Sequence, residues 1–97
     1  MKFLWKTLDA PASVAAGAAV VADRFFDKTV LLGGTFDATC RVQGTLDGTN
    51  WADLTGDLTA PQAVAIPHTV RLLRINTTVY NSGAIVASFA GQDARST

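Results

Sequence analysis

Apolar and polar residues alternate along much of this sequence, in short stretches separated by glycine, proline, aspartate and asparagine. The clearest alternation runs from Thr35 to Leu46. A period of two places alternate side chains on opposite faces of a strand, whereas a helix could not use it to bury one face. The stretch therefore predicts a half-buried strand whose apolar face holds Phe36, Ala38, Cys40, Val42 and Leu46 with Gly44 in register, and whose polar face holds Thr35, Asp37, Thr39, Arg41, Gln43 and Thr45.

Other short apolar stretches predict further strands. In Val70–Tyr80 the apolar face is expected to hold Leu73, Ile75, Thr77 and Val79. Gln62–Ile66 is expected at a sheet edge, since the prolines beside it cannot donate to a ladder. Asn81-Ser82-Gly83 predicts a turn that closes a hairpin between the last two strands, and a polar tail is expected from Gly91 to Thr97. The remaining predicted strands are Lys2–Leu8, Lys28–Leu32 and Ala84–Ala90.

Three segments are less regular. Ser13–Ala22 is rich in alanine, but Gly17 and three valines favour strand over helix. Asp23–Asp27 is interpreted as a turn or loop that carries two phenylalanines. Asp47-Gly48 predicts a tight turn, and Trp51 behind it is expected to anchor the core at the start of a short strand.

Composition agrees with β structure. All eight acidic residues are aspartate, and there are twelve threonines. Glutamate favours helix, whereas aspartate favours turns and threonine favours strands. The sequence therefore predicts an all-β fold, a single antiparallel β-sandwich or jelly-roll-like domain over residues 1–97. Residues 1–12 are expected to form an N-terminal arm or an edge strand.

The formal net charge is zero, and no basic stripe is present. A nucleic-acid partner is therefore not expected. The small apolar run before Asp23 is too short and too rich in alanine and glycine to span a bilayer. Asp9 and Pro11 interrupt the approach to it, which argues against a secretory signal. We therefore expect a soluble, unprocessed protein without a membrane partner.

Few residues suggest catalysis or cofactor binding. Cys40 is the single cysteine and is interpreted as a small buried hydrophobe. His68, the single histidine, lacks a neighbouring nucleophile or carboxylate motif. Asp47, Asn50, Asp53 and Asp57 suggest calcium, but their spacing does not match an EF-hand loop, and turn chemistry accounts for the first two. We predict no catalytic residues, no metal site and no cofactor.

Several apolar residues lie outside the well-patterned strands. Apolar side chains in an arm or loop often form an interface with another protein, although packing in a small second apolar cluster of the same chain is the alternative. The candidate protein-interface residues are Phe3, Leu4, Trp5, Phe25 and Phe26.

Two resemblances follow from the order of motifs. Val42–Trp51 contains a strand, an Asp-Gly turn and a tryptophan, and Val70–Asn76 (VRLLRIN) follows after a spacer. This order resembles discoidin-like (galactose-binding-like) sandwich modules over the central and later parts of the chain. It also resembles small decoration (cement) proteins of tailed bacteriophages over nearly the whole chain, including the opening KTLDAP and the later Ser88-Phe89-Ala90-Gly91.

The phage resemblance implies a non-enzymatic virion protein that cements the capsid. It implies binding to the major capsid protein on the outer head surface, as a dimer or trimer, after synthesis in the cytoplasm of the host bacterium. The alternative is a carbohydrate- or receptor-binding module of a head or tail appendage, with a sugar stacked on Trp5 or Phe25. Neither resemblance specifies a ligand.

Overall fold

A computed structural model describes residues 2–93 as nine strands without a helix. Met1 and residues 94–97, the ends of the predicted domain and of its polar tail, lie outside the described residues. The strands are β1 (Lys2–Leu8), β2 (Ala15–Ala16), β3 (Val20–Val21), β4 (Phe25–Gly33), β5 (Phe36–Thr45), β6 (Trp51–Asp53), β7 (Gln62–Ile66), β8 (Leu72–Gly83) and β9 (Val86–Asp93).

These strands form two antiparallel sheets. The first has the order β1-β9-β4-β7; in the second, β2 and β3 both pair with one edge of β8, followed by β5 and β6. The sheets pack around one apolar core, in which the rings of Phe25 and Phe89 have centroids 4.8 Å apart. The prediction of an all-β sandwich is confirmed.

The strongest period-two signals are also confirmed. In β5, Ala38, Cys40 and Val42 are buried, and in β8, Leu73, Ile75 and Thr77 are buried. β7 occupies a sheet edge between Pro61 and Pro67, as the prolines predicted. Alternation therefore identified which side chains of these strands face the core.

The alternation fails near the strand ends. Leu46, expected in the core, is 72% exposed, because β5 ends at Thr45 and Leu46 begins the following loop. Thr45, expected on the polar face, is only 2% exposed, and its hydroxyl is used inside that loop. Val79 was assigned to the apolar face of β8 but is 47% exposed, beyond irregularities in the pairing of β5 with β8.

The predicted hairpin after Tyr80 is wrong. Asn81-Ser82-Gly83 continues β8, and the chain leaves the strand only at Ala84. β8 pairs with β5, whereas β9 pairs with β1 and β4 in the other sheet. The connection therefore arches from one layer of the sandwich to the other. β9 also continues to Asp93, so the predicted polar tail begins inside a strand.

The two irregular N-terminal segments also differ from expectation. Ser13–Ala22 contains only the two-residue strands β2 and β3, with a close backbone approach at Gly17, whose N–H donates to the Ile75 carbonyl over 2.7 Å. The segment predicted as the loop Asp23–Asp27 instead begins β4 at Phe25. A bulge follows, with Asp27 at φ 52°, and it lets the strand resume its pairing at Thr29.

Candidate protein-binding face

The outer face of the first sheet presents side chains of all four of its strands. Because Val30 and Leu32 point into the core, their neighbours in β4 point outward, and cross-strand partners share that side. Three rows follow from the registers: Phe3–Gln92–Phe26, Trp5–Ala90–Thr29–Ala65 and Thr7–Ser88–Leu31–Ala63. Together with Val86 we call these residues the uncharged face, because no ionisable side chain occupies any of these positions.

Four large apolar side chains on this face are exposed to solvent. Phe3 is 72% exposed, Trp5 59%, Leu31 54% and Val86 63%. Clusters of exposed apolar side chains on a folded domain mark surfaces that bind other molecules. Burying this face against a protein would desolvate no charge, which removes the largest cost of forming such a contact.

The five predicted interface residues separate into two groups. Phe3 and Trp5 are exposed on the uncharged face, and Phe26 is half-buried in the same face. Phe25 instead packs on Phe89 in the core, and Leu4 is half-buried against that core. Their burial removes Phe25 and Leu4 from the surface that a partner could contact. Phe25 and Phe26 face opposite sides because they are consecutive residues of β4, which pair in register with Asp93 and Gln92.

Sequence reasoning missed Leu31 and Val86. A signal for Leu31 was present, because Val30-Leu31-Leu32 is an apolar run without alternation. In a strand such a run makes both faces apolar, so one of the three side chains must face outward in a two-layer sandwich. Val86 alternates with Ala87 and Phe89, which places it on the face opposite to theirs, but the sequence did not reveal which sheet its strand joins.

One lysine of this sheet is buried on its inner side. Lys28 is 4% exposed, and its Nζ lies 3.4 Å from the Phe25 carbonyl oxygen at the bulge. Burial lowers the pKa of Lys28 from its ordinary value, and the nearby carboxylate of Asp27 opposes that change. Of the lysine side chains that the structure describes in the first sheet, Lys6 and Lys28 are both directed inward, and none occupies the outer side.

The outer side of the second sheet has the opposite character. Arg41 contacts Asp53 and Asp57, each over 2.7 Å, and the Gln43 side-chain amide donates to Asp53 over 2.8 Å. Arg74 donates to the Gln43 side-chain oxygen over 2.8 Å. We call these residues, with Trp51, the ionic face. Hydrogen bonds from Gln43 and then Arg41 lower the pKa of Asp53.

Trp51 belongs to this face and not to the core, contrary to expectation. It is half-buried at the start of β6, and the Arg74 guanidinium lies 4.0 Å from the centroid of its ring. The guanidinium cation is attracted to the face of the indole ring, which stabilises both side chains in this position. Its register opposite Thr45 places Trp51 on the outer side of the sheet, although its type suggested a core anchor.

The loop between β5 and β6 accounts for Asp47 and Asn50 of the predicted oxygen-rich cluster, whereas Asp53 and Asp57 pair with Arg41. The Asp47 carboxylate accepts hydrogen bonds from the N–H groups of Asn50 and Thr49, which hold the pKa of Asp47 far below its ordinary range. Gly48 adopts φ 83° in the turn. Within residues 2–93, no group of three or more histidine, cysteine, aspartate or glutamate side chains is placed to hold a metal ion.

His68 lies beside this loop. It is exposed and lines an open, mainly apolar cleft of about 360 Å³, together with Leu46, Leu54 and Val70. The nearby Asp47 already accepts three hydrogen bonds inside its own loop, from the Thr49 N–H, the Asn50 N–H and the Asn50 side-chain amide. His68 therefore lies beside an apolar cleft, and the neighbouring Asp47 carboxylate is already used by its own loop.

Comparison with known proteins adds no relative: no family model, curated protein or solved structure gives a significant match to this chain. Among the described residues, no helix has the length and apolar character required to cross a bilayer.

Proposed function

We propose that this chain is a non-enzymatic virion structural protein that decorates and stabilises the capsid of a tailed bacteriophage. It binds the major capsid protein on the outer head surface as a dimer or trimer, after synthesis in the cytoplasm of the host bacterium. The proposal requires no cofactor, nucleic acid or membrane. The sequence resemblance suggests this role, and the uncharged face is the observation that supports a protein-binding surface.

Cementing requires many weak contacts over a broad area and no chemistry. A four-stranded sheet face without ionisable side chains suits that purpose, because its apolar surface can be buried without leaving a charge unpaired. The ionic face suits it less, since Arg41, Gln43 and Asp53 already satisfy one another. We therefore assign capsid binding to the uncharged face.

The test is co-sedimentation of the purified protein with emptied heads of the parent phage. Leu31→Lys places a charge in the middle of the uncharged face, and we expect the affinity for heads to fall at least about tenfold. Val79→Lys is the matched control, because Val79 is similarly exposed but lies in the second sheet. It should bind within about twofold of the wild type.

Salt provides a second test of the same assignment. Contacts between exposed charges weaken as salt shortens the Debye length to about 3 Å at 1 M, whereas apolar contacts do not. Binding to heads should therefore persist at high salt. If the wild-type protein does not bind heads at any salt concentration, the proposed function is wrong. If Leu31→Lys and Val79→Lys lose the same amount of affinity for heads, the assignment to the uncharged face is wrong.

A carbohydrate- or receptor-binding module is the second candidate, favoured by the exposed indole of Trp5. An aromatic ring on an open sheet face can stack on a sugar. Phe25, the other predicted sugar platform, is buried and unsuited to this role. Binding to a glycan array that Trp5→Ala abolishes, without binding to heads, would replace the first proposal by this one.

A further inference from the structure

We propose that β1 pairs with β1 of a second copy of this chain, antiparallel and centred on Trp5. β1 is an edge strand with β9 as its one neighbour in the described sheet. Among residues 2–93, the backbone hydrogen bonds outside the strand ladders include none from β1. Its outer edge therefore presents N–H and C=O groups that another strand can pair with.

The other sheet edges are poor templates for pairing. β7 has five residues between two prolines, and β6 has only three residues. β2 and β3 have two residues each and are separated by Gly17, where the chain approaches the backbone of Asp9 and Ile75 closely. Short, interrupted or proline-flanked edges resist pairing. β1 has seven residues and no interruption, so it is the longest free edge among the described strands.

The sequence of β1 favours one register with itself. A two-fold axis at Trp5 pairs all seven residues, with Trp5 opposite Trp5, Phe3 opposite Thr7 and Leu4 opposite Lys6. A centre at Lys6 would place two lysines directly opposite each other, which is destabilising. A centre at Leu4 would shorten the pairing to five residues and set Lys2 opposite Lys6. An axis between residues would oppose outward and inward side chains.

Lys6 does not block this pairing. A charge that points inward from an edge strand is one way in which proteins prevent edge association. Here the Lys6 ammonium crosses the sandwich, donating to the Val21 carbonyl over 3.2 Å and lying 5.7 Å from the centroid of the Phe25 ring. Its charge is thus directed toward the second sheet, and the residue opposite it in the dimer is uncharged.

Pairing would join two first sheets into one of eight strands and make the two uncharged faces continuous. The contact is smaller than a standard interface of about 1,600 Å², so we expect a dissociation constant on the order of micromolar. The inference rests on the proposed function for the use of this face, but the dimer forms without capsids. Its failure and the failure of capsid binding can therefore be told apart.

Sedimentation velocity over about 1–500 µM protein tests the dimer. The wild type should pass from monomer to twice its mass, and Trp5→Lys should remain monomeric because it sets two lysines on the axis. Leu31→Lys is the control, since it is on the same face but in β4, away from the edge. It should dimerise normally while losing capsid binding. A wild type that stays monomeric, or equal loss of dimer in both variants, overturns the proposal.

Disulfide trapping tests the register and does not depend on Trp5→Lys folding. Trp5→Cys should form an intermolecular disulfide on mild oxidation, because the two thiols face each other across the axis. Thr7→Cys, exposed on the same strand, should not cross-link alone, since it lies opposite Phe3. The natural Cys40 is fully buried and should not compete. Cross-linking of Thr7→Cys at an equal rate, or of neither variant, overturns the register.

Discussion

The two outer faces of this sandwich are built from the same period-two pattern, yet they treat charge in opposite ways. On the ionic face Arg41 forms ion pairs with Asp53 and Asp57, and Arg74 donates to Gln43 and stacks on Trp51. The uncharged face carries no ionisable group and leaves four large apolar side chains in solvent. The polar groups of the ionic face therefore have partners while the face is exposed to water, whereas the uncharged face gains stability when a partner protein covers its apolar side chains.

The largest expected effect concerns the core that both faces share. Phe89→Ala removes a fully buried ring that packs on Phe25, and we expect the free energy of unfolding to fall by about 3–5 kcal/mol. The two tryptophans lie on different faces, Trp5 on the uncharged one and Trp51 on the ionic one. Urea unfolding followed by fluorescence in Trp5→Phe and Trp51→Phe backgrounds therefore reports on each sheet separately.

Coincident transitions at the two tryptophans are the expected result, because one core cluster holds residues of both sheets. Two midpoints that separate in the Phe89→Ala protein would mean that the sheets are stabilised independently. In that case the two faces could not be treated as surfaces of one cooperative unit.

The sequence predicted the fold class well because alternation records burial directly. It identified Ala38, Cys40 and Val42 as buried in β5 and the buried residues in the central part of β8, and the prolines beside β7 identified an edge. It failed at the connection after Tyr80, because alternation shows which way a side chain points but not which sheet the strand joins. The arch between β8 and β9 is a long-range property that no local pattern encodes.

The second effect concerns the loop that supports the ionic face. The Thr45 hydroxyl lies 2.6 Å from the Asn50 carbonyl oxygen and accepts a hydrogen bond from the Gly48 N–H over 3.1 Å. Thr45→Val leaves both backbone groups without this partner, so we expect a loss of about 1–2 kcal/mol in a urea titration. Thr29→Val on the uncharged face is the matched control and should change stability by less than about 0.5 kcal/mol. If the two variants lost the same free energy of unfolding, the hydrogen bonds of the Thr45 hydroxyl would not stabilise the loop.

The candidate site was only partly predictable. Phe3, Trp5 and Phe26 were identified from their positions outside the patterned strands, and the structure brings them to one face. Phe25 was assigned to the same group because Asp23–Asp27 was predicted as a loop, whereas β4 begins at Phe25 and its alternation turns Phe25 and Phe26 to opposite sides. Trp51 was assigned to the core by residue type, whereas its cross-strand register and the cation of Arg74 determine its position.

A third prediction uses the charge that the first sheet buries. The pKa of Lys28 is lowered by burial, so the folded protein disfavours its protonated form. Unfolding then takes up a proton between the lowered pKa and the ordinary value, and stability from this group rises as pH increases through that window. Lys28→Met removes the buried charge, and we expect it to stabilise the protein at pH 7 by about 1 kcal/mol.

Thermal unfolding at pH 7 and pH 10 checks this prediction. The advantage of Lys28→Met should shrink at the higher pH, where the wild-type lysine loses its proton more readily in the folded state. Thr29→Val, next along the strand, should show the same difference from wild type at both pH values. A Lys28→Met protein that is less stable than wild type at pH 7 would mean that the contact of Nζ with the Phe25 carbonyl outweighs the cost of burial.

The smallest expected effect tests how the ionic face is satisfied. The lowered pKa of Asp53 means that its carboxylate contributes stability above the ordinary carboxyl pKa, and that this contribution is lost as pH falls through the folded value. Asp53→Asn should therefore lower the melting temperature at pH 7 by less than Thr45→Val does, because its partners are exposed and solvent screens the pair. This difference in melting temperature should disappear at strongly acid pH and diminish at high salt.

Thr29→Val, which alters no charge, is the control and should differ from the wild type equally under all of these conditions. If instead the melting temperature of Asp53→Asn stayed equally far below that of the wild type in acid and in high salt, the charge of Asp53 would not stabilise the ionic face. The side chains of that face would then be held by hydrogen bonds that do not depend on charge, and charge would not distinguish the two faces energetically.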